Sequence, residues 1–215
     1  SVTVSPTLGW NYSDAYAIGT TGSPQSTNGT WSGSQGYINA QIAFEFENLP
    51  GLSLAIDCRK ENVFYIEVRF APQLHVRGEF RVRDVLRAVC RGLERAKKEI
   101  NQDPEVKRGA LPRFEAGVIA CAMRFFLPVF SEHYRAYFDA LSMARPEEIY
   151  GLASLELARA VIASVEEDGL PVVGLDLAGQ ERGFPCKDHQ AAYQLAHDHF
   201  LGKTVHAGED YGPES

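Results

Sequence analysis

The 215-residue chain carries 21 Lys and Arg against 28 Asp and Glu, a formal charge of −7, with 45% hydrophobic and 23% charged residues. That balance fits one large or two small globular domains, and it argues against a general nucleic-acid binder, which needs a basic footprint to neutralise phosphates. No apolar run approaches the roughly 18–20 residues that cross a bilayer, and the amino end lacks a basic region followed by an apolar stretch, so no membrane partner is expected.

Cys58, Cys90, Cys121 and Cys186 form no C-x-x-C pair, and reduced, mostly buried thiols in a cytoplasmic protein are the expectation. Residues 1–58 contain no Lys or Arg and four acids, leaving all 21 basic residues to the rest of the chain. Residues 1–39 are rich in Ser, Thr and Gly and read as a separate loop-like segment, ahead of a domain over 40–215. Their glycines do not form a phosphate-cradling G-x-G-x-x-G, and Asn11-Tyr-Ser13 and Asn28-Gly-Thr30 are read as chance glycosylation matches.

From residue 59 the text becomes regular. Phe64–Phe70 is rich in aromatic and branched residues, closes on Ala71-Pro72, and predicts a strand. Val82, Val85, Leu86, Val89, Cys90 and Leu93 recur at helical spacing and predict a helix from about Arg81 to Ile100. Phe114–Met123 predicts a second strand, and Pro146 opens a helix that stops near Gly169. Leu170–Leu177 predicts a third strand, Asp188–His199 a helix, and Lys203–His206 a fourth strand. The alternation signals α/β architecture with parallel βα units; an open doubly wound sheet and part of a (β/α)8 barrel both fit. Either fold gathers reactive groups at the carboxyl ends of its strands, where Glu67, Arg69, Arg124, Asp176, Gly179, His206 and Glu209 stand.

A histidine ending a buried strand, as His206 does, can offer a neutral nitrogen to Zn²⁺; a satisfied core histidine is the alternative. Ala207 and Gly208 let the chain turn so that Glu209 comes back toward the same point, where a carboxyl suits proton transfer if burial raises its pKa. Gly179 allows close backbone approach, and its N–H can donate to a ring nitrogen. His75, His133 and His189 read as surface histidines. His197 and His199 fall in a helical pattern, where residues two apart diverge by about 200° and make poor joint ligands.

Glu67-Val-Arg-Phe-Ala-Pro72, Asp176-Leu-Ala-Gly179 and His206-Ala-Gly-Glu209, in this order, resemble the strand-end motifs of the adenosine deaminase family of metal-dependent (β/α)8 hydrolases. The resemblance covers about residues 40–215. It implies a partial TIM barrel, about strands two to five of eight, acting on a purine nucleoside with Zn²⁺ as cofactor. It also implies His206 as one metal ligand, Glu209 as the acid that protonates a purine ring nitrogen, and Gly179 as a backbone donor to another ring nitrogen. A zinc-activated hydroxide would attack the carbon bearing the amino group, and ammonia would leave. Glu67, Arg69 and Asp176 match the motifs and are expected in structural ion pairs.

The family's His-x-His pair, its late Asp ligand and an assisting His have no counterpart here. The chain is therefore expected to be truncated at both ends and inactive by itself. Pro185-Cys186 lacks the partners of the unrelated nucleobase deaminases. The other reading is a non-catalytic binding or relic protein; the coding sequence on either side, by holding or lacking the missing ligands, separates the two.

Overall fold

The computed structural model describes residue 55 and residues 58–209; the expected 1–39 segment and the boundary at residue 40 lie outside them. The described residues divide into two compact units, one made of those up to Phe70 with Gly92–Ala116 and the other of Ala71–Arg91 with those from Gly117 onward.

In the first unit, β1 (Tyr65–Phe70) alternates as a half-buried strand must, Val68 and Phe70 inward and Tyr65 and Glu67 outward. Glu67 thus stands in mid-strand, exposed, and accepts a hydrogen bond from the Tyr65 hydroxyl at 2.5 Å. The Glu115 N–H donates to the Phe64 carbonyl at 2.9 Å, joining β1 to the start of β2 (Glu115–Met123). Helix α1 (Val82–Ile100) contributes its second half, with Leu93, Ala96 and Ile100 buried on one face. The Asn101 side chain both donates to the Phe114 carbonyl at 3.0 Å and accepts its N–H at 2.8 Å, imitating a backbone pair. Between them lies the short α2 (Pro104–Lys107), capped by Asp103, whose carboxylate accepts the Glu105 N–H at 2.8 Å.

In the second unit, β2, β3 (Val172–Ala178) and β4 (Gly202–Lys203) are successive parallel neighbours. The register sets Cys121 beside Asp176 and Met123 beside Ala178, so the carboxyl ends of β2 and β3 coincide. Strand β4 is shorter than expected. The ladder continues through Thr204 N–H to Leu175 O (3.0 Å) and His206 N–H to Leu177 O (2.9 Å). The carbonyls on this segment, however, are taken by side chains: Thr204 O accepts from the Tyr193 hydroxyl and His206 O from Arg124. Regular pairing therefore stops, although His206 keeps its place in register.

Three helices accompany these strands in the second unit. Helix α3 (Glu132–Ala140) starts at Ser131, whose hydroxyl accepts the Tyr134 N–H at 3.2 Å. Helix α4 (Pro146–Glu166) buries Ile149, Tyr150, Ala153, Leu157, Ala158 and Val161 along one face, and α5 (Gln190–Asp198) packs beside it. Asp168, just after α4, receives both Arg83 and Arg87 of the first half of α1 at 2.9 Å.

Gly151, inside α4, shows how tightly α4 meets the turn over Cys186–His189: a Cβ there would sit 2.5 Å from the Asp188 carbonyl oxygen. Gly151→Ala would gain up to about 1 kcal/mol of helix propensity, but forcing backbone apart costs about 1–3 kcal/mol. A net loss of stability is the expected result, read as a lower denaturation midpoint; a raised midpoint would show that the contact relaxes freely.

Candidate active site

The site is built where β3 and the β4 segment end, wholly in the second unit. Asp176 is completely buried, and its Oδ2 lies 3.0 Å from His206 Nδ1. The Leu177 carbonyl is 3.2 Å from the same nitrogen. Both partners accept, so Nδ1 carries the proton and Nε2 presents a lone pair. A carboxylate gripping one ring nitrogen is the arrangement that orients metal-binding histidines. The Cys121 thiol lies 3.6 Å from Asp176 Oδ2, a weak further donor from β2. In place of the expected ion pair, Asp176 thus accepts a hydrogen bond from the neutral His206 ring.

Gly179 leaves β3 with φ +116°, a conformation that disfavours any side chain. The loop that follows brings in Glu181, buried, whose Oε1 accepts the Glu209 N–H at 3.3 Å. Gly208, at φ +80°, makes the turn between His206 and Glu209. The Glu209 side chain itself is exposed; the burial expected to tune it is not supplied by the described residues.

Arg124, at the end of β2, is entirely buried. Its Nη1 donates to the Phe184 carbonyl at 2.9 Å and its Nη2 to the His206 carbonyl at 2.8 Å. It stood among the polar strand-end residues in the sequence, but nothing there indicated that it ties two loops together. Glu181 was likewise visible only as the end of the Asp176–Gly179 motif.

The lone histidines differ from expectation. His189 is buried, with Nδ1 2.6 Å from Ser154 Oγ, and Ser154 donates to the Tyr150 carbonyl at 3.1 Å. The hydroxyl proton is thus used, and His189 Nδ1–H is the donor in the pair. His133 is half-buried, its Nε2 3.0 Å from the Gln73 amide nitrogen, and burial lowers its pKa. His75 is half-buried and is pushed down to about 4, by burial first and then by Arg77. His199 is exposed and pairs with Glu166 at 2.7 Å.

Burial also pushes His189 down to about 4 from the ordinary 6.5. The unfolded chain binds a proton there that the folded chain refuses, so stability is whole above about 6.5 and falls as pH drops toward about 4. His189→Gln should flatten that acid limb, as read from urea midpoints across pH; an unchanged slope would remove His189 from the account.

As to the metal, His206 fits as one ligand, its ring locked and Nε2 free of the Asp176 contact. Among the described residues no group of three or more His, Cys, Asp or Glu could hold a metal ion. The described residues therefore offer one candidate ligand, short of the three protein ligands that a catalytic zinc usually takes.

The ADAL protein, solved with IMP, superimposes with a TM-score of 0.54 at 17% identity, covering 82% of this chain and 43% of that one. The class is thus an α/β protein with the fold of part of a (β/α)8 barrel. In sequence, residues 142–215 match the adenosine deaminase family. Adenosine deaminase of Haemophilus ducreyi is 28% identical over 156 residues, 73% of this chain and 36% of that protein. Adenosine deaminase of Mycolicibacterium gilvum is 30% identical over 157 residues, 73% of this chain and 33% of that protein. The chain is thus similar in sequence to adenosine deaminases and spans about a third of the length of these relatives.

Proposed function

We propose that this chain forms part of a zinc-dependent deaminase that converts adenosine and water to inosine and ammonia, or a related aminopurine and water to its own oxopurine and ammonia. The observation that carries the reading is the buried Asp176 holding His206 by Nδ1, with Gly179 and Glu209 on the turns beside it. His206 Nε2 would hold the metal as one of its ligands. Zinc, when bound, supplies the Lewis acidity that activates the water.

The chain's own groups do the rest. The Glu209 carboxyl delivers a proton to one ring nitrogen, which makes the neighbouring carbon electrophilic. The Gly179 N–H donates to another ring nitrogen and fixes the base in its plane. Glu181 anchors the Glu209 backbone, so the acid is delivered from a set position. The similarity to a protein solved with IMP supports a purine, and it leaves nucleoside and nucleotide to be separated by assay.

The test is to express this chain within its full coding sequence, add Zn²⁺, and follow ammonia release from adenosine, AMP and adenine. Chelator-sensitive release from one of them is expected. No release from any purine would sink the proposal.

A further inference from the structure

We infer that Arg124 is a positioning residue: it takes the His206 backbone carbonyl and so leaves the Gly179 N–H open to a purine ring nitrogen. The inference rests on the proposed purine reaction at this site.

The sheet register supplies the argument. Gly174 pairs with Gly202 and Leu175 with Lys203, and the bonds Thr204 N–H to Leu175 O and His206 N–H to Leu177 O continue that register. In a parallel ladder, a residue that donates to the carbonyl before its partner gives its own carbonyl to the N–H after that partner. His206 is matched to Ala178 by this rule, so its carbonyl belongs to the Gly179 N–H. Arg124 Nη2 occupies that carbonyl instead, at 2.8 Å. Gly179 turns out of the strand at φ +116°, and its N–H makes no hydrogen bond among the described residues.

The second arm of the guanidinium closes the device. Nη1 holds the Phe184 carbonyl at 2.9 Å, on the loop that begins at Gly179. The Arg124 N–H holds the Ala178 carbonyl at 2.8 Å, immediately before that glycine. Arg124 has no carboxylate at ion-pair distance among the described residues, although it is fully buried. Burying an unpaired guanidinium is costly, and a charged donor outcompetes a neutral amide for a carbonyl. Lysine cannot replace the planar fork that serves two carbonyls at once.

The test uses the protein expressed from its full coding sequence and purine nucleosides with one ring nitrogen at a time replaced by C–H. In the wild type, replacing the nitrogen that faces Gly179 should lower kcat/KM by about ten-fold or more, the worth of one hydrogen bond in a closed site. In Arg124→Lys the same replacement should matter by no more than about two-fold, because the N–H has returned to the His206 carbonyl. An equal loss on every substrate, with the ratio unchanged, would reduce Arg124 to a structural residue and overturn the inference.

If Arg124→Lys fails to fold, backbone amide exchange in the wild type decides. Rapid exchange at Gly179 in the free protein supports the inference, and protection there without ligand overturns it. If no purine is deaminated at all, the proposed function fails, while exchange at Gly179 still judges the claim about Arg124.

Discussion

Glu209→Gln, introduced into the full coding sequence, should lower deamination by about 10²–10⁴ while leaving the zinc content near that of the wild type. The amide keeps the size and hydrogen-bonding shape of the carboxyl, yet has no acidic proton to give. The structure makes the substitution a clean one: Glu209 is exposed, and its contact to Glu181 runs through the backbone N–H, which glutamine retains. Metal analysis and the rate of ammonia release are the two readouts. Near-normal turnover would remove Glu209 from the role of acid, and loss of zinc would move it into the metal site.

Asp176→Asn tests the other half of the site and should weaken zinc affinity by about 10–100-fold, the usual effect of altering a carboxylate behind a ligating histidine. Asparagine can still accept the His206 Nδ1–H at its amide oxygen, so the geometry at 3.0 Å survives and the negative charge is what changes. Asp176→Ala removes both and should be worse, with a further loss of stability from the opened space. Competition against a chelator reads the affinity. Wild-type affinity in Asp176→Asn would mean that the charge is immaterial and that Asp176 acts only by filling its place in the sheet.

The parts of this fold that could be read in the sequence were those written in periodicity. Helices α1 and α4 and strands β1, β2 and β3 begin and end within about three residues of expectation, because a continuous apolar face or a branched run marks them. Helices α2 and α3 bury one residue each, Val106 and Tyr134, and so carry no apolar period to read, although Asp103-Pro104 and Ser131 are recognisable caps. Strand β4 came out short for a reason no local pattern contains, since Tyr193 and Arg124 reach its carbonyls from elsewhere in the chain.

The same division runs through the site. The motifs correctly brought His206 and Asp176 to neighbouring strand ends, because strand, turn and glycine spacing are local matters. The burial of His189 depends on Ser154, 35 residues away, and the work of Arg124 depends on Phe184 and His206, 60 and 82 residues away. Partnerships of that range become visible only when the chain is folded. The expectation that Glu209 is tuned by burial drew on what a catalytic acid needs, which sequence spacing cannot supply.

The pairing of Arg83 and Arg87 with Asp168 has a consequence for how the two ends of β3 respond to their medium. Asp168 precedes the strand, and its partners are partly open to solvent; Asp176 and His206 meet at the far end, where the aspartate is sealed from water. Dissolved ions screen charges over about 8–10 Å at ordinary ionic strength, and reach exposed pairs far more readily than enclosed ones. Added salt therefore loosens the entry to β3 and spares its exit, so that the aqueous environment adjusts how firmly the scaffold is tied without retuning the groups that would face the purine.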